Sequence, residues 1–313
     1  MKTLRYILVM SIVVAMFSAC SSDSESGEIK GNYPKDNVVR INTLLSAPLT
    51  KAGEQTYRGN TLGLFLDYDT EGNHDTYTKN NVLWTNNNGT WTSASLMLWK
   101  SSKTPVNIYA YAPYNDNIVS PEYVTWSIPS DQTSGIASAD LVWFGKQAFV
   151  PIYGLDGMES VQIVFKHALV KLNVNLIKGN EYTDNDKIAS VVLKRTAGTV
   201  VCDLTKSGDI TIPAESYEQD ITMHPLTNTS YEAVFYPYKG QQPNEEMLVV
   251  TMASGTVYSY VVPVAGLDFQ KGCAYTMTLK IGKDKITIAN PTTLNPWIIT
   301  DEPGGEAEKI DVI

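Results

Sequence analysis

The sequence predicts an all-β chain arranged in two halves, and three observations predict it. Apolar residues recur with a period of two. Val106, Ile108, Ala110 and Ala112 alternate with Asn107, Tyr109 and Tyr111; Leu172, Val174 and Leu176 alternate with Asn173 and Asn175; Tyr275, Met277, Leu279 and Ile281 alternate with Thr276, Thr278 and Lys280. Such alternation sets one face of a strand on a core and the other in water. Turn signals punctuate these runs at Asn88-Gly89, Ser207-Gly208-Asp209 and Ser254-Gly255. Beyond the leader, no stretch holds a helical apolar repeat over three turns. Many short strands between turns build sandwiches or barrels rather than strand-helix-strand units. The halves come from two similar stretches, VNIYAYAPYN at 106–115 and YEAVFYPYKG at 231–240, which place an equivalent strand in each.

In chain order, residues 1–19 read as an export leader. Lys2 and Arg5 give a positive start, and 6–17 is an apolar run, too short for the roughly 20 residues a spanning helix needs. Small Ser18 and Ala19 precede Cys20. Small residues ending on a Cys resemble the bacterial lipobox, where the leader is cut before the Cys and the thiol receives diacylglycerol, with palmitate among the expected acyl chains. Phe17 stands where leucine is commoner. Residues 20–33 are then the lipidated Cys and a linker whose SSDSESGE stretch, 21–28, has nothing to bury. Acidic residues behind such a Cys resemble the surface-export signals of Bacteroidetes lipoproteins, so the outer membrane and cell surface are expected.

Strand runs follow at 39–45, 62–66, 106–112, 141–144, 161–165, 172–176, 188–193, 200–204, 233–236, 247–252, 257–262 and 275–281. The Gly-rich YGLDGM at 153–158 lies between strands and sets the expected boundary between an N-terminal domain, 34–155, and a C-terminal domain, 156–313.

Composition narrows function. The chain of 313 residues carries a net charge of −9, which becomes −11 once Lys2 and Arg5 leave with the leader. With a sequence pI near 4.9, a nucleic-acid partner is not expected, because phosphate binding needs clustered Lys and Arg. His74, His167 and His224 are scattered, with no His-x-His or His-Glu-x-x-His pair, and no nucleophile elbow, Walker loop or dinucleotide turn is present. DYDTEGNHD at 67–75 spaces Asp67, Asp69, Glu71 and Gly72 like a calcium loop, but Thr78 occupies the place of the bidentate Glu. An acidic connection between strands is the better reading. We therefore expect no enzyme activity, cofactor or metal. Besides Cys20 there are Cys202 and Cys273, each in a strand-like run; a disulfide is open to them in an export compartment, and two separate buried thiols fit better. Trp84, Trp91, Trp99, Trp126, Trp143 and Trp297 fall in or beside strands, where large aromatics fill cores.

The order of segments resembles the fimbrillin family of Bacteroidetes, the subunits of type V pili. The matching pieces are the lipobox at Cys20, NVVRINTLLS, the basic-Ala pair in LTKAG, GNTLGLFLDY at 59–68, NNVLWT with Trp84, VNIYAYAPYN, VFKHALVKLNVNL at 164–176, and FQKGCAYTMTLKIGKDKITI leading to Trp297. The resemblance implies two tandem transthyretin-like β-sandwich domains and a polymerising structural protein. It implies a surface lipoprotein precursor cut after a basic residue by a trypsin-like protease, which frees the first strand. The groove left behind then accepts a donor strand from another pilus subunit. The transferable processing site is Lys51-Ala52, where Lys stands for the usual Arg; Arg40 and Arg58 are alternative cuts, and an uncut anchor or accessory subunit is the other reading. The leaving strand would present Val39, Ile41 and Leu45, and the donor strand Ile310 and Val312, each set on one face. The rival reading is a monomeric surface glycan-binding lipoprotein that displays exposed Trp and Tyr.

Overall fold

The computed structural model describes residues 32–46, 55–57, 59–68, 75–179, 186–283, 285–295 and 297. The expected leader and Cys20 lie outside the described residues. In chain order the first strands are β1 (Ile41–Leu45), β2 (Gln55–Thr56), β3 (Thr61–Asp67), β4 (Lys79–Asn87), β5 (Thr90–Ser93), β6 (Val106–Ala112), β7 (Val124–Ser127), β8 (Val142–Phe149), β9 (Val161–His167) and β10 (Val170–Lys178). Then come β11 (Ile188–Ala197), β12 (Thr199–Asp203), β13 (Asp209–Thr211), β14 (Glu218–Thr222), β15 (His224–Pro225), β16 (Ser230–Phe235), β17 (Glu246–Met252), β18 (Val257–Val261), β19 (Ala274–Ile281) and β20 (Ile286–Asn295). The only α-helix among the described residues is a single turn, Pro151–Gly154. The chain is all-β, as the period-two pattern predicts.

Four sheets form among these strands. The largest runs β2-β1-β9-β8-β6-β3-β4-β5; the others run β15-β16-β10-β19-β20, β14-β11-β17-β18 and β13-β12-β7. Two clusters of buried side chains lie against them. The smaller holds Leu62, Leu64, Leu66, Trp84, Trp99 and Phe165 together with the β1 row. The larger holds Phe65, Tyr109 and Tyr111 from the opposite faces of β3 and β6, with most apolar residues beyond Ala168.

The face of β6 expected to be wet is therefore covered. Tyr109 is 3% and Tyr111 0% exposed, because both share the larger cluster with Ile118, Val124, Trp126 and Leu141. Tyr111 also explains Gly63: a Cβ there would lie 2.4 Å from the Tyr111 ring, so the strand beneath the ring has no side chain at that point.

The segment between β6 and β8 does this covering. It leaves the first sheet and pairs β7 antiparallel to β12, with Trp126 opposite Val200 and Val124 opposite Cys202. The backbone continues as a strap. Ile128 N–H donates to Gly198 O at 3.0 Å, Thr222 N–H to Ser130 O at 2.8 Å, and Gln132 N–H to Thr222 O at 3.0 Å. The Gln132 side chain then completes the free edge of β16: its Nε2 donates to Val234 O at 2.7 Å while its Oε1 accepts from Val234 N–H at 2.9 Å. Residues on either side of the expected boundary at 155 are thus interleaved. β9 joins the first sheet through β1 and β8, and residues 118–141 contribute to the larger cluster.

Burial leaves a pH signature. It pushes the phenols of Tyr68 and Tyr111 and the thiol of Cys202 up to about 12 each. Unfolded, these groups lose their protons near about 10 and about 8.5. Above those values the folded state holds more protons than the unfolded one, so their stabilising contribution is intact below about pH 8.5 and declines as pH rises toward 12. The urea midpoint should stay level up to about pH 8.5 and fall steadily beyond pH 10; a level midpoint at pH 11 would contradict the burial of these groups.

Candidate functional site

Among the described residues no group of three or more His, Cys, Asp or Glu side chains could hold a metal ion. Of the 67–75 stretch, Asp67, Tyr68 and Asp75 are described, and Asp75 pairs with Lys100; Asp69, Glu71 and His74 lie outside. Cys202 and Cys273 are both buried and unpaired with one another. Trp84, Trp99, Trp126, Trp143 and Trp297 are buried and Trp91 is half-buried, as core-filling predicts.

The arrangement that stands out is the seat of β1. The inward row starts at Val39, just ahead of the strand, and continues through Ile41, Thr43 and Leu45, at 3%, 9%, 2% and 3% exposure. Ahead of β1 the chain is held by residues 97–99: Val39 N–H donates to Met97 O at 3.0 Å and Trp99 N–H to Asn37 O at 2.8 Å. It then changes partner and runs parallel to β9, from Ile41 beside Val161 to Leu45 beside Phe165. Val161 N–H donates to Arg40 O at 2.9 Å and Ser46 N–H to Phe165 O at 2.8 Å, extending the ladder by one bond at each end. Among the described residues its other long edge meets β2 alone, at Leu44 and Leu45. So β1 is a core-filling strand with a continuous partner along one side and a two-residue partner along the other.

The walls of this seat are aromatic. Tyr57 stacks on Trp91 with centroids 6.5 Å apart and tilts against Phe165 at 4.9 Å. The Trp91 indole N–H donates to Thr43 Oγ1 at 3.0 Å, and the Thr43 hydroxyl points to Tyr57 O at 3.5 Å. Trp91 lies on β5, at the far end of the same sheet from β1, so this bond closes the sheet's two ends on one another. Sequence reading placed Val39, Ile41 and Leu45 in this row and missed Thr43, Tyr57 and Trp91. The period-two pattern contained the signal for Thr43, a hydroxyl in a row of aliphatic residues.

Arg40, an alternative cut, is held in paired backbone through its carbonyl. Its guanidinium binds Asp36 at 2.6 Å and approaches Glu159 at 3.7 Å. The Arg40 side chain is the main reason the Asp36 carboxyl falls to about 2, with the Val38 N–H adding to it. Lys51, Ala52 and Arg58 lie outside the described residues, as do Ile310 and Val312. The described chain ends at Trp297, which is 3% exposed and stacks on His167 with centroids 3.9 Å apart and planes within 7°. His167 Nδ1 lies 3.0 Å from the Asp140 carboxylate. His167 is the last residue of β9, so Trp297 is docked at the end of β9 near which β1 stops.

No helix among the described residues is long and apolar enough to cross a membrane. A family described as fimbrillin-like matches residues 50–297. No curated protein matches the chain. Among solved structures, the chain is similar to a candidate cell adhesion protein from Bacteroides uniformis, with 20% identity, TM-score 0.59, and 85% of this chain and 100% of that one covered. It is similar to another such candidate from Bacteroides ovatus, with 15% identity, TM-score 0.62, and 84% and 99% covered. A tip fimbrial protein from Porphyromonas gingivalis, solved with a C-terminal truncation, shows 10% identity and TM-score 0.52 over 82% of this chain and 99% of that one. These likenesses establish a shared β-rich fold. With most of its length matched, the chain belongs to the fimbrillin-like family.

Proposed function

We propose that this protein is a structural subunit of a cell-surface fimbria, exported as a lipoprotein on Cys20 and assembled when proteolysis at Lys51-Ala52 releases β1 and a strand of another subunit takes its place. The observation that carries the reading is the seat of β1. The segment precedes the proposed cut, fills the smaller core with Val39, Ile41 and Leu45, and among the described residues has its long ladder on one side alone. Removing it would leave the outer backbone groups of β9 unpaired beside an apolar groove, and an incoming strand satisfies both. Arg40 is a poor cut because its carbonyl is bonded to β9. The donor row is Ile310 and Val312, and the division into two transthyretin-like sandwich domains belongs to the same proposal.

In this reading the lipid on Cys20 holds the precursor in the outer membrane and a trypsin-like protease removes lipid, linker and first strand together. Adhesion is then a property of the assembled fimbria, and no catalytic residue is required. The glycan-binding alternative has less support, since five of the six Trp residues are buried.

Low-dose trypsin on the purified precursor tests the proposal. One cut near Lys51 should be followed by ladder-forming or SDS-resistant oligomers, and deletion of 306–313 should stop their growth without unfolding the subunit. A clean cut that leaves a monomer would sink assembly by strand exchange.

A further inference from the structure

We infer that the β1 seat is not a uniformly greasy groove but reads one hydrogen-bonding side chain on whatever strand occupies it, with Trp91 as the reader. This rests on the strand-exchange reading above and adds a requirement on the donor.

The inward row of β1 is three aliphatic residues and Thr43. Valine has nearly the shape of threonine and suits a buried strand better, so a hydroxyl here is costly unless it is bonded. It is bonded twice: it accepts from the Trp91 indole N–H at 3.0 Å and points its own proton to Tyr57 O at 3.5 Å. Trp91 can donate but not accept, and the stacked Tyr57 ring fixes its plane. Both Tyr57 and Trp91 follow residues 51–52 in sequence and so stay with the body of the subunit after the cut. When β1 departs, the indole N–H faces an apolar slot. A donor strand with an aliphatic residue at that place would bury it without a partner. A donor with a small acceptor, a Ser or Thr hydroxyl or an Asn amide, would satisfy it.

The register follows from β9. The reading position is the residue that lies beside Ile163, as Thr43 does now, in a strand running parallel to β9. The partner that satisfies the reader is therefore a β-strand with two apolar inward residues, then a short acceptor, then an apolar residue, at alternate positions. Residues 306–313, whose phase reads Glu306, Glu308, Ile310 and Val312, do not carry that pattern, so the best-matched strand belongs to a different subunit.

The test uses the full chain after low-dose trypsin and a fluorescently labelled peptide of residues 37–46, read by anisotropy. The native peptide and its Thr43→Ser form should bind, and the Thr43→Val peptide should bind about tenfold or more weakly. On Trp91→Phe protein the Thr and Val peptides should bind within about twofold of each other. Equal binding of the Thr and Val peptides to wild-type protein overturns the reader. If no peptide binds, including the native one, the strand-exchange reading itself fails. The uncut chain then serves separately: Thr43→Val should lower the urea midpoint in the wild type and leave it nearly unchanged in Trp91→Phe, and an equal loss in both backgrounds removes the Trp91–Thr43 pair.

Discussion

Replacing Gln132 with leucine lowers the unfolding free energy by about 4 kcal/mol, because it strips two buried backbone groups of their partners at about 1–3 kcal/mol each and removes the bond to Pro129 as well. Gln132 is 1% exposed. Its amide copies a strand's backbone, donating to Val234 O at 2.7 Å, accepting from Val234 N–H at 2.9 Å, and donating to Pro129 O at 3.2 Å. Leucine has similar bulk, so the loss measures unpaired polar groups rather than a cavity. Urea unfolding reads the total and hydrogen exchange at the Val234 amide reads the place. The neighbouring Asp131→Ala, which affects only the exposed turn bonds to Thr133, should cost about 1 kcal/mol or less. A Gln132→Leu loss no larger than that would mean water replaces the amide and the strap does not seal β16.

The contrast between Gln132 and β1 shows what a sequence carries. Val39, Ile41 and Leu45 were legible because strand periodicity is local and the row repeats every second residue. The all-β class and most of the strands from β6 onward were legible for the same reason. β4 was not, since KNNVLWTNN dilutes its buried Val82 and Trp84 with asparagine. β20, reading ITIANPTTLN, is interrupted by Pro291 and is tolerated as a strand because it lies at the edge of its sheet. The wet face assigned to β6 failed because its cover comes from another part of the chain. Gln132 to Val234, His167 to Trp297 and Thr43 to Trp91 are contacts across long stretches of sequence. Only the folded topology brings such pairs together, and each member alone reads as an ordinary loop or strand residue. The site was therefore visible as a strand and invisible as a lock.

A disulfide between β1 and β9 should abolish assembly while leaving proteolysis intact. Asn42 and Gln162 are neighbours in the parallel register, half-buried and exposed respectively, so Asn42→Cys with Gln162→Cys places two thiols across a strand pair spaced about 4.8 Å, within the about 4.4–6.8 Å that a disulfide spans. Cys202 and Cys273 are buried and do not compete. In the proposed assembly, what would hold β1 after the cut is the burial of Val39, Ile41 and Leu45, about 1.5–3 kcal/mol each, together with its ladder and the Thr43–Trp91 bond. That is enough to keep the strand seated until a competitor displaces it, and too little to resist a competitor with the same pattern. The staple removes the exit without altering the groove. Oxidised, the double variant should be cut by trypsin as the wild type is, retain the first strand under non-reducing electrophoresis, and form no oligomers. Adding dithiothreitol should restore the wild-type ladder. If the oxidised protein assembles at the wild-type rate, β1 does not have to leave, and subunits join through another surface. If the reduced double variant also fails, the substitutions rather than the bond are at fault, and Asn42→Ser with Gln162→Ser, which keeps polar side chains without a crosslink, isolates that effect. The staple thus reads departure of the strand directly, separately from whether the chain is cut.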